Sequence, residues 1–87
     1  MKLIFSEQAW EDYLYWQKAE TKILVRINNL IKEVARQPFT GSGKPEALRH
    51  ALAGYWSRRI TDEHRFVYKV HENALLIAQL RYHYSTR

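Results

Sequence analysis

Residues 55–82 read YWSRRITDEHRFVYKVHENALLIAQLRY, and their pattern decides the fold. Three runs rich in β-branched and aromatic residues, at about 55–60, 64–70 and 74–82, are separated by Thr61-Asp62-Glu63 and His71-Glu72-Asn73. Such runs predict strands, and connections this short join antiparallel neighbours. Alternation gives the faces. In the middle run His64, Phe66, Tyr68 and Val70 form the mostly apolar set, expected to meet a helical layer, while Arg65, Val67 and Lys69 point the other way. In the last run Leu76, Ala78, Leu80, Tyr82 and Tyr84 share one parity and Gln79, Arg81 and His83 the other. An unbroken period of two therefore sets Arg65 and His83 on a common open face.

Working outward, Gly54 breaks the chain before the first of these strands. Gly41, Gly43 and both prolines lie in Pro38-Phe39-Thr40-Gly41-Ser42-Gly43-Lys44-Pro45, a connector. Pro45 suits the first position of a helix and Glu46 the next, so a short helix through Glu46-Ala47-Leu48-Arg49-His50 is expected. Before the connector, Ile23, Ile27, Leu30, Ile31 and Val34 form one helical stripe, ended by Pro38. An earlier helix carries Ala9, Trp10, Tyr13, Leu14 and Trp16, with Ser6 as its N-cap and Glu7 in its first turn. Lys2-Leu3-Ile4-Phe5 reads as an opening strand. The expected class is α+β: one domain, 1–87, with a small, mainly antiparallel four-stranded sheet and two N-terminal helices on one face.

The 87 residues suffice for one core, burying roughly 60–65% of the extended-chain surface. A hydrophobic content of 46% argues against disorder. With no cysteine there is no disulfide framework and no thiolate chemistry, which fits a reducing, cytoplasmic setting. Glu7 comes too soon for a signal-peptide core, and no apolar run approaches a membrane span. The spacings of His50, His64, His71 and His83 match no metal-ligand pattern, and no nucleotide-binding loop is present. The net charge of +5 is uneven: residues 44–87 hold eight Lys/Arg against four Asp/Glu, whereas residues 1–43 hold six against five. A basic half is either a solvated surface or a surface for a polyanion.

That half also holds the candidate chemistry. Glu46 can accept a proton, His83 can give or take one near neutrality, and Arg58, Arg59 and Arg65 are cations between them in sequence. A base, an acid and cations around a phosphate are what metal-free cleavage of RNA requires. Each residue has an ordinary reading as well. Glu46 can be a favourable charge at a helix start. The arginines can pair with Asp62 and Glu63 at the surface. Arg58 and Arg59 point to opposite faces, and the apolar company of Arg58 implies a partly buried aliphatic stem.

Several separate blocks, in one order, resemble the YoeB-like toxins of the RelE/ParE superfamily. They are Met1-Lys2-Leu3-Ile4, Asp12-Tyr13-Leu14-Tyr15-Trp16-Gln17, Gly43-Lys44-Pro45-Glu46, Gly54-Tyr55-Trp56-Ser57-Arg58-Arg59-Ile60, Glu63-His64-Arg65 and Arg81-Tyr82-His83-Tyr84. The resemblance implies a ribosome-dependent endoribonuclease that cuts mRNA in the ribosomal A site and needs no cofactor. It implies Glu46 as base, Arg65 as phosphate-binding arginine, His83 as acid and Tyr84 as a supporting residue. Lys44, Arg49 and Arg59 would add phosphate contacts; the family commonly has lysine where this chain has Arg49, and a guanidinium changes the hydrogen-bonding geometry. The implied partners are a YefM-like antitoxin, the ribosome, mRNA and, as a homodimer, a second copy of the chain; no membrane is implied. The other readings are a non-catalytic toxin, as in the ParE branch, and a basic RNA-binding regulator.

Overall fold

The structure is a computed structural model and describes residues 1–83. Strand β1 (Lys2–Phe5) runs directly into helix α1 (Glu7–Ala19) through Ser6. Ser6 Oγ accepts the Ala9 N–H at 3.0 Å, so it caps the helix as its side chain predicts. Helix α2 (Thr21–Arg36) follows at once and buries Ile27, Leu30, Ile31 and Val34. Strands β2 (Glu46–Ala47), β3 (Trp56–Arg59), β4 (Arg65–His71) and β5 (Ala74–Gln79) complete a five-stranded sheet in the order β1-β5-β4-β3-β2. Only β1 is parallel to its neighbour. Ala9 and Trp16 of α1 and the α2 stripe close on Phe66, Tyr68, Leu75, Ile77 and Leu80 to form the core. The α+β architecture is as expected, with both helices on one face.

Three details of the reading are corrected. The helix expected over residues 46–50 does not form. Glu46 and Ala47 pair antiparallel with Ser57 and Trp56, and the Leu48 N–H goes to the Tyr55 carbonyl at 2.9 Å. A bare β3 edge offers ladder partners that an isolated one-turn helix lacks, so the sheet gains a fifth strand. A single 3-10 turn at His50–Leu52 follows it.

The second correction concerns β5. Val67 pairs with Gln79 but Tyr68 pairs with Ile77, which makes Ala78 an extra residue and the strand bulged. Leu75 and Ile77, rather than Leu76, therefore meet the helices. Beyond the bulge the parity returns to the expected one: Leu80 enters the core while Gln79 lies on the open face with Val67. Ser6 stabilises this bulge, its N–H bonding the Ile77 carbonyl at 2.8 Å and its hydroxyl the Ala78 carbonyl at 2.8 Å.

The third correction is the inner face of α1. Trp10 and Leu14 are exposed, whereas Asp12 is buried between Ala9 and Trp16. A carboxylate interrupts the apolar stripe that sequence periodicity seeks, and its partner lies far along the chain.

Candidate active site

The open face of the sheet carries a row of polar residues set by register. Glu46 lies opposite Ser57, Ser57 opposite Val67, and Arg59 opposite Arg65. Two like charges directly opposed on one face cost stability unless an anion lies between them. Lys44, Glu46, Ser57, Arg59, Arg65 and His83 line one cavity of about 220 Å³ here. Three cations, one carboxylate and one imidazole thus share a single concavity.

The wall bearing Lys44 and Glu46 is built by a buried arginine. Arg58 points to the helical side and is fully buried. It donates to the carbonyls of Gln37 at 2.6 Å, Thr40 at 2.7 Å and Ser42 at 3.1 Å. Its Nε donates to the Tyr68 hydroxyl at 3.3 Å, and that hydroxyl donates to the Pro38 carbonyl. Glu33 of α2 pairs with Arg58 at 3.4 Å and accepts both the backbone N–H and the hydroxyl of Ser42. The Ser42 hydrogen bonds, aided by the Arg58 charge, hold the Glu33 carboxyl below its ordinary range. Burial pushes the Tyr68 hydroxyl up. One guanidinium therefore ties residues 37–42 to the sheet.

The loop then meets the strand through backbone alone. The Gly43 carbonyl accepts the Arg59 N–H at 2.7 Å. Gly43 has φ +82°, and a Cβ there would stand 3.1 Å from the Arg59 carbonyl oxygen, so both conformation and clearance require glycine. Lys44 follows in the left-handed region as well, with φ 52°.

The opposite wall is Arg65 and the chain beyond β5. Arg65 is buried, and its Nη1 donates to the carbonyls of Thr61 at 2.8 Å, Asp62 at 3.0 Å and His64 at 3.1 Å. This locks the β3–β4 turn and the guanidinium to each other. Leu80, where the chain leaves the sheet, is clamped by α1: the Asp12 carboxylate accepts its N–H at 2.9 Å and the Trp16 indole donates to its carbonyl at 2.8 Å. Gln79 Nε2 donates to the carbonyls of Arg81 and Tyr82 at 2.8 and 3.0 Å. The Arg81 guanidinium lies 3.5 Å from the ring centre of Tyr15 and 4.6 Å from that of Tyr82.

Of the residues singled out in the sequence, Lys44, Glu46, Arg59, Arg65 and His83 meet in the cavity. Arg49 does not line it; with Glu46 and His50 it borders an adjoining cavity of about 390 Å³. Arg58 belongs to the scaffold. Tyr84 lies outside the described residues. Ser57 escaped the sequence reading although its parity with Arg59 was legible. Asp12, Trp16, His64 and Gln79 also escaped it as scaffold, and only a polar residue inside the apolar face of α1 hinted at any of them. Among the described residues no three His, Asp or Glu side chains converge as metal ligands would, and no helix is long and apolar enough to cross a membrane.

A model of the YoeB-like toxins of bacterial type II toxin–antitoxin systems matches residues 5–84. The chain is 61% identical over 84 residues to Toxin YoeB of Escherichia coli K12, covering 97% of this chain and 100% of that one. Its structure is similar to that of a YoeB/ParE toxin from Agrobacterium tumefaciens, with a TM-score of 0.94, 49% identity and coverage of 97% and 100%. It is similar also to the toxin in a heterotetrameric YoeB–YefM complex from Staphylococcus aureus, with a TM-score of 0.89, 47% identity and coverage of 97% and 98%. A YoeB dimer from the same organism matches with a TM-score of 0.90, the same 47% identity and the same coverage of 97% and 98%.

Proposed function

The chain belongs to the YoeB-like toxins of bacterial type II toxin–antitoxin systems, and from that premise we propose that it is a ribosome-dependent endoribonuclease that cleaves mRNA in the A site by metal-free acid–base chemistry. The observation that carries this reading is the cavity itself: Arg59 opposed to Arg65, with Glu46 on one wall and His83 on the other. Glu46 accepts the proton of the ribose 2′-OH, and that oxygen attacks the adjacent phosphorus. The bond to the 5′-oxygen breaks as protonated His83 hands it a proton. Arg65, assisted by Arg59 and Lys44, stabilises the charge that accumulates on the phosphoryl oxygens, with Arg49 contributing from the adjoining cavity. Tyr84 orients the substrate or His83. The products are a 2′,3′-cyclic phosphate and a 5′-hydroxyl.

The ribosome supplies alignment that so small a protein has little surface to provide. The reaction takes place in the cytoplasm, where the translating ribosome is. A YefM-like antitoxin and a second copy of the chain are the protein partners, as in the Staphylococcus aureus assemblies. Primer extension on message in a translating extract, with and without the protein, tests the reading. New 5′ ends within the A-site codon support it. Arrest of growth with no new ends would favour a non-catalytic, ParE-like toxin, and RNA binding without arrest or cleavage a regulator.

A further inference from the structure

His64 lies outside the cavity lining, yet it holds the segment that carries His83. Its Nδ1 accepts the Tyr82 N–H at 2.7 Å. The Tyr82 carbonyl is taken by the Arg65 N–H and by Gln79 Nε2, each at 3.0 Å. Tyr82 sits in the left-handed region with φ 65°, a conformation that a bulky side chain rarely adopts unless its backbone is held. The next residue is His83. The His64 ring packs edge-on against the Trp16 indole, with centroids 4.9 Å apart, and Trp16 in turn holds Leu80. The imidazole is thus oriented by the same helix that clamps the start of the segment.

We propose that His64 is a positioning residue. Its unprotonated Nδ1 fixes the left-handed Tyr82 and thereby sets His83 on the cavity wall. This rests on the reading of the cavity as an RNA-cleaving site. The role demands a lone pair at Nδ1, hence the neutral tautomer with its proton on Nε2; an imidazolium has no acceptor. A ring that merely filled space against Trp16 would place no demand on Nδ1.

Two variants separate these roles in the full chain. His64→Phe keeps a ring against Trp16 and removes the acceptor. His64→Asn loses the ring, but its Oδ1 can stand near the place of Nδ1. The expected result for His64→Phe is Tyr82 amide exchange faster by at least about tenfold. Its single-turnover cleavage at saturating ribosome should fall by roughly ten- to a hundredfold, the scale of a small misplacement of a reacting group, with half-saturation unchanged. His64→Asn should restore most of both. Equal losses in the two variants, or a folded His64→Phe that keeps Tyr82 protected, would overturn the proposal. The unaltered protein gives a check that no folding failure can spoil. A nitrogen–nitrogen scalar coupling across Tyr82 N–H···Nδ1 is expected in a labelled sample, and a protonated Nδ1 there would overturn the proposal. If the unaltered protein cuts no message, the functional reading fails, while amide exchange and the coupling still decide whether His64 holds the segment.

Discussion

The Asp12 carboxylate and the Leu80 N–H, 68 residues apart in sequence, meet at 2.9 Å inside the protein. One helical turn on, Trp16 takes the carbonyl of the same Leu80. A helix that contributes no residue to the cavity therefore fixes the point from which the chain runs to His83. Because both groups of Leu80 are buried, neither can fall back on water if its partner is lost.

Trp16→Phe should leave the Leu80 carbonyl unpaired and cost about 1–3 kcal/mol of stability. Asp12→Ala should cost about as much through the orphaned N–H. Both should also slow cleavage, although neither residue touches the cavity. Denaturant melts beside single-turnover assays measure the two effects, and a variant destabilised with its rate intact would show that Leu80 does not position the segment.

Glu46→Ala and His83→Ala should each slow cleavage by roughly 10²–10⁴-fold, the usual worth of a positioned base or acid. For the exposed Glu46, the change in stability should stay within about 0.5 kcal/mol. Undiminished single-turnover cutting of ribosome-bound message by either variant would remove that residue from the mechanism.

Arg65→Lys keeps a charge but loses the planar group that binds the turn while lining the cavity. The rate at saturating ribosome should fall more than the affinity does, because the charge is wanted most when the phosphorane forms. Loss of affinity alone, with the saturated rate preserved, would make Arg65 a docking residue.

Acid should loosen the loop that carries Lys44 and Glu46. The Glu33 carboxyl has a folded pKa held below its ordinary value by Ser42 and Arg58. Its contribution is complete above the unfolded carboxylate pKa of about 4.3 and disappears as pH falls through the lower folded value. Melting temperature followed from pH 6 down to about pH 3 should therefore decline less steeply for Glu33→Gln than for the unaltered protein. Parallel curves would show that Glu33 carries none of the acid sensitivity.

Chelator should leave cleavage intact once the ribosome's own magnesium requirement is met, since Glu46 and His83 can perform both proton transfers. Naked RNA should be cut slowly at best, for want of surface to align the attack. Fast, metal-stimulated cutting of free RNA would overturn both statements and redirect attention to His50, His64, Asp62 and Glu63.

The α2 stripe from Ile27 to Val34, the Ser6 cap and the strands β3 to β5 were legible because each depends on neighbours a few residues away. So was the face on which Arg58 lies, shown by its apolar flanks, although its complete burial depends on loop carbonyls 16 to 21 residues away. The fifth strand was not: Glu46 and Ala47 leave a plausible helix start for a ladder with β3, and only the exposed edge of that strand makes the exchange favourable. Nor was the bulge at Ala78, since an extra residue in one strand is defined by its register against another. Nor was the burial of Asp12, whose partner, the Leu80 N–H, lies 68 residues along the chain.

By itself the sequence determined the class, the helical layer, the strands other than β2 and the residues capable of chemistry, because period and composition are properties of contiguous residues. Tertiary structure alone decided which of those residues meet. It opposed Arg59 to Arg65, moved Arg49 to an adjoining cavity, bulged β5 at Ala78 so that Leu75 and Ile77 turned inward in place of Leu76, and gave Asp12, Trp16 and His64 the task of holding the last segment. Apart from the Arg59–Arg65 hairpin pair, those outcomes rest on pairings between residues far apart in the chain, whose partners exist only once the sheet and helices have closed on each other.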